Sequence, residues 1–169
     1  MPRPRKYRSN AARQAAYRRR KRQAKRQAYL LSKSLWSTPA KLFAELDREF
    51  HFTLDVCATS ENAKCERFFS PDDDGLAQKW KGVCWMNPPY GRQIDKWVKK
   101  ALASARSGAA TVVCLSPATT GTLWFHKYVL GHSVIRFLKG RFKFGDSSNS
   151  APFDNMIVVF HRTTRRLIG

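Results

Sequence analysis

The stretch "GVCWMNPPYGR" (residues 82–92) constrains this chain more than any other. Pro88 and Pro89 each lack an N–H and have φ fixed, so neither a helix nor a sheet ladder runs through them. The residue before each proline is pushed toward extended geometry. The apolar run 82–86 is therefore expected to be a strand that stops at Asn87, with Asn87 and Tyr90 held in a stiff turn. Asn and Pro suit any turn, so the meaning of this one rests on what surrounds it.

The surroundings alternate. "STPAKLFAELDREF" has a Ser-Thr cap signal, a proline near the first turn and apolar residues at 42, 43, 46 and 50, which predicts an amphipathic helix. Residues 52–58 read as a buried strand, 64–69 as a second short strand before the acidic turn "PDDDGL", and 109–117 as a central strand. Between them, 92–106 predicts a helix with Ile94, Trp97, Val98, Ala101 and Leu102 on one face. A helix near 121–130 and strands at 133–138 and 156–162 complete the pattern. Strands alternating with helices predict an α/β fold with an open, largely parallel sheet. In such sheets ligands sit at the carboxyl ends of the strands. The loops after "TLDVCA", "VCWM" and "VVCLSP" leave those ends, so a site is expected where they meet.

Charge divides the chain in two. Of 32 Lys and Arg residues, 13 lie at or before Lys33, and the first acid is Glu45. Residues 1–34 are read as a basic tail and 35–169 as the folded domain. The tail consists mainly of Ala, Arg, Gln and Lys, good helix formers, whose packed like charges oppose a helix in free solution. It is expected to be disordered alone and helical when phosphates neutralise it, with Arg18, Arg19, Arg20, Lys21 and Arg22 contacting DNA. A basic region of bZIP type is excluded, since no leucine heptad follows. The net charge of +20 attracts polyanions, nucleic acid first among them.

The four cysteines contain no C-x-x-C pair and the four histidines no ligand spacing, so no metal site is expected and reduced thiols fit better. No apolar run is long enough to span a membrane, and no apolar stretch follows the basic start as in a secretory signal.

The order Trp36-Ser37-Thr38-Pro39, Leu54-Asp55-Val56-Cys57-Ala58, Asp74-Gly75-Leu76 and Asn87-Pro88-Pro89-Tyr90-Gly91 resembles the phage-type, Dam-like DNA N6-adenine methyltransferases. The likeness continues through "LSPATTGTLWF", "FLKGRFKF" and "APFDNMIVVF", covering nearly everything from Trp36 to Phe160. It implies a Rossmann-like methyltransferase fold with a mostly parallel sheet and an antiparallel C-terminal strand. It also implies S-adenosylmethionine as methyl donor, DNA as substrate, a monomer, and the cytoplasm of a bacterial host. Trp36, Thr38 and Pro39 match the segment that packs beside the cofactor. Asp55 stands at the acidic position ending the first strand, followed by the small residues Cys57 and Ala58 where many methyltransferases have a Gly-x-Gly turn. Asp55 fits a turn or cap residue as well, and Asp72, Asp73 and Asp74 fit a solvated turn; Asp74 is the choice for a contact to cofactor or base.

The residues of the motif carry a chemistry of their own. An adenine amino group is a poor nucleophile, because its lone pair is delocalised into the ring. Acceptors for both amino hydrogens help, and the Asn87 side chain and the Pro88 carbonyl can supply them, with Pro89 adding rigidity. Tyr90 offers an aromatic face for a base turned out of the duplex. The segment 140–155 reads as a loop or long hairpin with Arg141, Lys143 and Phe153 projecting, a candidate for DNA contact that also fits an ordinary hairpin with a basic rim.

Other readings differ by single features. Cytosine-C5 methylation needs a cysteine nucleophile, usually just after proline, and no Pro-Cys pair occurs. Cytosine-N4 enzymes use the same chemistry with Ser typical at position 87. Protein-glutamine methyltransferases share Asn-Pro-Pro-Tyr but need no such tail, and the flanking segments do not resemble theirs. The missing glycines also leave room for a non-enzymatic DNA-binding protein on a decayed methyltransferase fold.

Overall fold

The computed structural model describes residues 9–35, 37–144 and 150–162, with the backbone alone for 25–35. Trp36 thus lies outside the described residues, as does part of the 140–155 segment.

Helix α1 spans Asn10–Leu35. Ser9 starts it: its Oγ accepts the Ala12 N–H at 3.1 Å and its carbonyl the Arg13 N–H at 3.1 Å, satisfying donors that a helix start leaves open. Among its described side chains only Ala16 is half-buried; the rest are exposed. Arg22 reaches Asp72 at 3.6 Å, both largely in solvent, a pair worth at most about 1 kcal/mol. Over its described side chains the helix rests on propensity and a cap, and none of them is buried.

Helix α2, Ala40–Phe50, buries Leu42 and Leu46 as its spacing predicts. The expected Ser-Thr cap does not form. Pro39 occupies the cap position, and its ring offers no cap bond, while the Thr38 hydroxyl is engaged with Asn87. The helix ends at His51, whose left-handed φ of 55° lets its N–H return to the Asp47 carbonyl at 2.8 Å.

Five strands form one sheet: β1 Leu54–Asp55, β2 Gly82–Met86, β3 Ala110–Pro117, β4 Val134–Phe137 and β5 Asn155–Phe160, in the order β1-β2-β3-β5-β4. β1, β2 and β3 pair in parallel, and β5 runs antiparallel to both of its neighbours. The sheet is thus mixed, with β5 the reversed strand. The strand expected at 64–69 is reduced to a single bridge, Phe68 to Asp55. That segment lies along the outer edge of β1, with Glu66 and Arg67 exposed, and buries too little to extend the ladder. β1 is also shorter than expected, although Thr53 and Val56 continue its bonds to Val83 and Trp85. The helix expected near 121–130 is a short helical stretch, 123–129, whose Phe125–Val129 part is π-type and closed by Leu130 N–H to the Phe125 carbonyl at 2.9 Å.

Alternation along the strands sends side chains to two cores. Cys84, Met86, Val112, Cys114, Met156 and Val158 face helix α3, Ile94–Arg106, and pack with its Ile94, Trp97, Val98, Ala101 and Leu102. Trp85, Val113, Leu115, Ile157 and Val159 face α2 and pack with Leu42 and Leu46. Helices therefore cover both faces, and the strand ends between them are where polar side chains accumulate.

Candidate active site

Asn87 follows β2 directly. It lies two residues beyond Trp85, so it points to the same α2 face, and it is 4 % exposed. Its Nδ2 donates to Thr38 Oγ1 at 3.0 Å, between residues 49 apart in sequence. Thr38 is itself 5 % exposed. This bond joins the start of α2 to the end of β2, and it turns the Asn87 carbonyl oxygen away from Thr38. Pro88 is buried, while Pro89 and Tyr90 are half-buried.

Tyr90 is held from the side. Phe144 and Phe153 meet its ring nearly at right angles, with centroids 6.4 and 5.6 Å away, an arrangement aromatic quadrupoles favour. Burial, with Cys114 and Cys57 nearby, raises the phenol well above its ordinary range, so the hydroxyl stays neutral. Phe153, expected to project, folds inward onto Tyr90 instead. Arg141 and Lys143 do reach solvent, Arg141 with Asp154 at 3.4 Å.

The loop after β1 is closed by its own acid. Asp55 is 3 % exposed; its Oδ1 accepts the Cys57 N–H and its Oδ2 the Lys64 N–H, each at 3.2 Å. This is the turn role that the residue type also allowed. Cys57 and Ala58 are buried, and the Ala58 N–H donates to the Phe69 carbonyl. Asp74 is exposed, with a left-handed φ of 53°. Gly75 beside it is required by packing, since a Cβ there would stand 2.3 Å from the Val56 carbonyl oxygen. That contact presses the acidic turn against the end of β1. Within the turn, the Ser70 hydroxyl and N–H hold the Asp73 carboxyl below its usual range.

Two polar residues at the same sheet end were not foreseen. Ser116 and Asn155 are 0 % and 1 % exposed. Ser116 Oγ and Asn155 Oδ1 have no hydrogen-bond partner among the described residues, while Asn155 Nδ2 leans on the Ser116 carbonyl at 3.5 Å. Buried polar atoms are nearly always satisfied, so such atoms call for an explanation. Their signal in the sequence is a polar residue ending an apolar strand ("LSP") or starting one ("DNM"); only the β3–β5 register shows that they adjoin.

The structure thus brings Thr38, Asn87, Pro88 and Tyr90 together, with the acidic turn at the neighbouring end of β1. Arg18, Arg19, Arg20, Lys21 and Arg22 stand apart from them, exposed on α1. A buried amide, a proline-fixed carbonyl and a braced aromatic ring make a site that can receive a planar NH2 group. The DNA N-6-adenine-methyltransferase (Dam) family matches this chain over residues 26–167, and the chain belongs to that family. The match begins inside the basic segment, ahead of the boundary expected from charge. The chain is 31% identical over 137 residues to a DNA N-6-adenine-methyltransferase of Haemophilus phage HP1 (strain HP1c1), covering 76% of this chain and 79% of that protein. It is 38% identical over 97 residues to a protein of the same name from Escherichia phage T1, covering 55% of this chain and 40% of that one.

Proposed function

We propose that this chain transfers a methyl group from S-adenosylmethionine to the N6 amino group of adenine in DNA, on a base turned out of the helix. The observation that carries the reading is the Asn87–Thr38 bond at 3.0 Å, which presets the amide at the end of β2. Asn87 Oδ1 and the Pro88 carbonyl accept from the two amino hydrogens. They draw the nitrogen lone pair out of ring conjugation and stabilise the positive charge the nitrogen gains before it loses a proton. Tyr90, neutral and braced by Phe144 and Phe153, rests against the base and holds it in line. Membership of the family supports adenine as the base and DNA as its carrier.

The layered sheet supports a Rossmann-like methyltransferase fold. Donor binding belongs at the carboxyl ends of β1 and β2, and the residues there fit it: Gly75 keeps backbone close to backbone, and Asp74 offers an exposed carboxylate beside it. Thr38 and Pro39 would flank the donor, with Asp55, Cys57 and Ala58 shaping the loop from within; S-adenosylmethionine, when bound, supplies an electrophilic methyl group on sulfur. The α1 cations and the pair Arg141 and Lys143 would contact DNA phosphates. Among the described residues no helix is long and apolar enough to cross a membrane.

The test is methylation of a mixed-sequence plasmid with tritiated donor, followed by mapping of the modified bases. We expect N6-methyladenine, and at least about a hundredfold less of it with Asn87→Ala, at unchanged circular dichroism. Label on cytosine, or full activity in Asn87→Ala, would overturn the reading.

A further inference from the structure

The short helical stretch after β3 opens on a residue the reaction has not used. Leu123 is 80 % exposed, more than any other large apolar side chain described. A lone exposed leucine is ordinary; the setting of this one is not. It follows β3 at the carboxyl end of the sheet, the end where β2 delivers Asn87. The turn beneath it is braced: Thr122 donates to the Thr119 carbonyl through both N–H, at 3.2 Å, and Oγ1, at 2.8 Å. His126 N–H returns to the Thr122 carbonyl at 3.3 Å. The loop base is tied by Ala118 N–H to the Asp154 carbonyl at 2.8 Å, one residue from Phe153, which touches Tyr90. On the other side Trp124 is half-buried against the core and Phe125 is 4 % exposed. Leu123 is therefore a single apolar side chain pushed outward between two anchored points.

Its surroundings favour DNA. Lys127, Arg141 and Lys143 are exposed on the segments that follow β3, Arg141 paired with Asp154 at 3.4 Å. A base leaves the duplex only by breaking its stacking, and the gap it leaves is stabilised by an apolar side chain that enters the stack.

We propose that Leu123 is the wedge that enters the base stack in place of the extruded adenine, a role that rests on the function proposed above. It would make Leu123 a positioning residue, acting on the opening of the duplex and leaving the transfer step alone. The test uses two duplexes carrying the mapped target adenine, one paired with thymine and one opposite an abasic site, where little stacking is left to break. Leu123→Ala should lower the single-turnover rate on the paired duplex about tenfold and keep it within about twofold on the abasic one. Leu123→Met should recover the paired rate, and 2-aminopurine at the target should brighten less with Leu123→Ala than with the parent protein. Equal losses on both duplexes, or no loss on either, would overturn the wedge while leaving the methyltransferase reading standing. Failure of the parent protein on both duplexes would overturn both.

Discussion

Thr38 sits where its residue type suggests a helix cap, yet its hydroxyl is spent on Asn87. Replacing it with Val keeps the shape and removes that acceptor from a buried amide, which typically costs about 1–3 kcal/mol. We expect Thr38→Val to lower the urea midpoint by that measure and to lower turnover further, because the amide then loses its preset orientation; Thr38→Ser should restore both. The thiols give a pH prediction. Burial, the largest cause in each case, pushes Cys65 and Cys84 from 9.0 up to about 12. The unfolded chain therefore gives up these protons first, so their contribution to stability is complete below about pH 9 and is lost as pH rises toward 12. Urea midpoints should fall between about pH 8 and about pH 11, and less so in a Cys65→Ser, Cys84→Ala double variant. Asn87, Pro88 and Tyr90, the proposed site, stand out in the sequence because their chemistry is local. Ser116 and Asn155 do not, since each is a common residue until the pairing of β3 with β5 brings the Asn155 amide onto the Ser116 carbonyl.

At the scale of elements, α2, α3, β2 and β3 lie close to where periodicity placed them, because each buries a continuous apolar stripe. Residues 64–69, without one, form only an edge bridge, while the helix near 121–130 is the short stretch 123–129, which buries Phe125 and Val129. Helix α1 is the opposite case: it has the composition of a helix, and nothing described in it is buried. Its described cations stand in solvent. Deleting residues 1–25 removes 11 of the positive charges and leaves the family match whole. We expect the shortened protein to fold normally and to bind duplex DNA with a shallower dependence on salt concentration. Each phosphate that α1 no longer neutralises should lower the slope by about 0.9. An unchanged slope would remove α1 from the DNA interface.

For the whole molecule, the charge of +20 sets the class of partner and the encounter, while the sheet sets the chemistry. The two cores hold β2 and β3 rigidly from both faces, so the motif after β2 inherits the stiffness of the sheet as well as that of its prolines. Composition, periodicity and the double proline determined by themselves the α/β class, the basic segment and the residues proposed for the amino-group site. These depend on properties of single residues and near neighbours: charge, φ restriction and the spacing of apolar side chains. Only the tertiary structure decided that Thr38 orients Asn87, that Phe153 turns inward to brace Tyr90, and that Asp55 closes its own loop. It also decided that Leu123 stands exposed at the site end of the sheet. Each of these joins segments distant in sequence or depends on which face a strand presents, and one residue of register reverses that face.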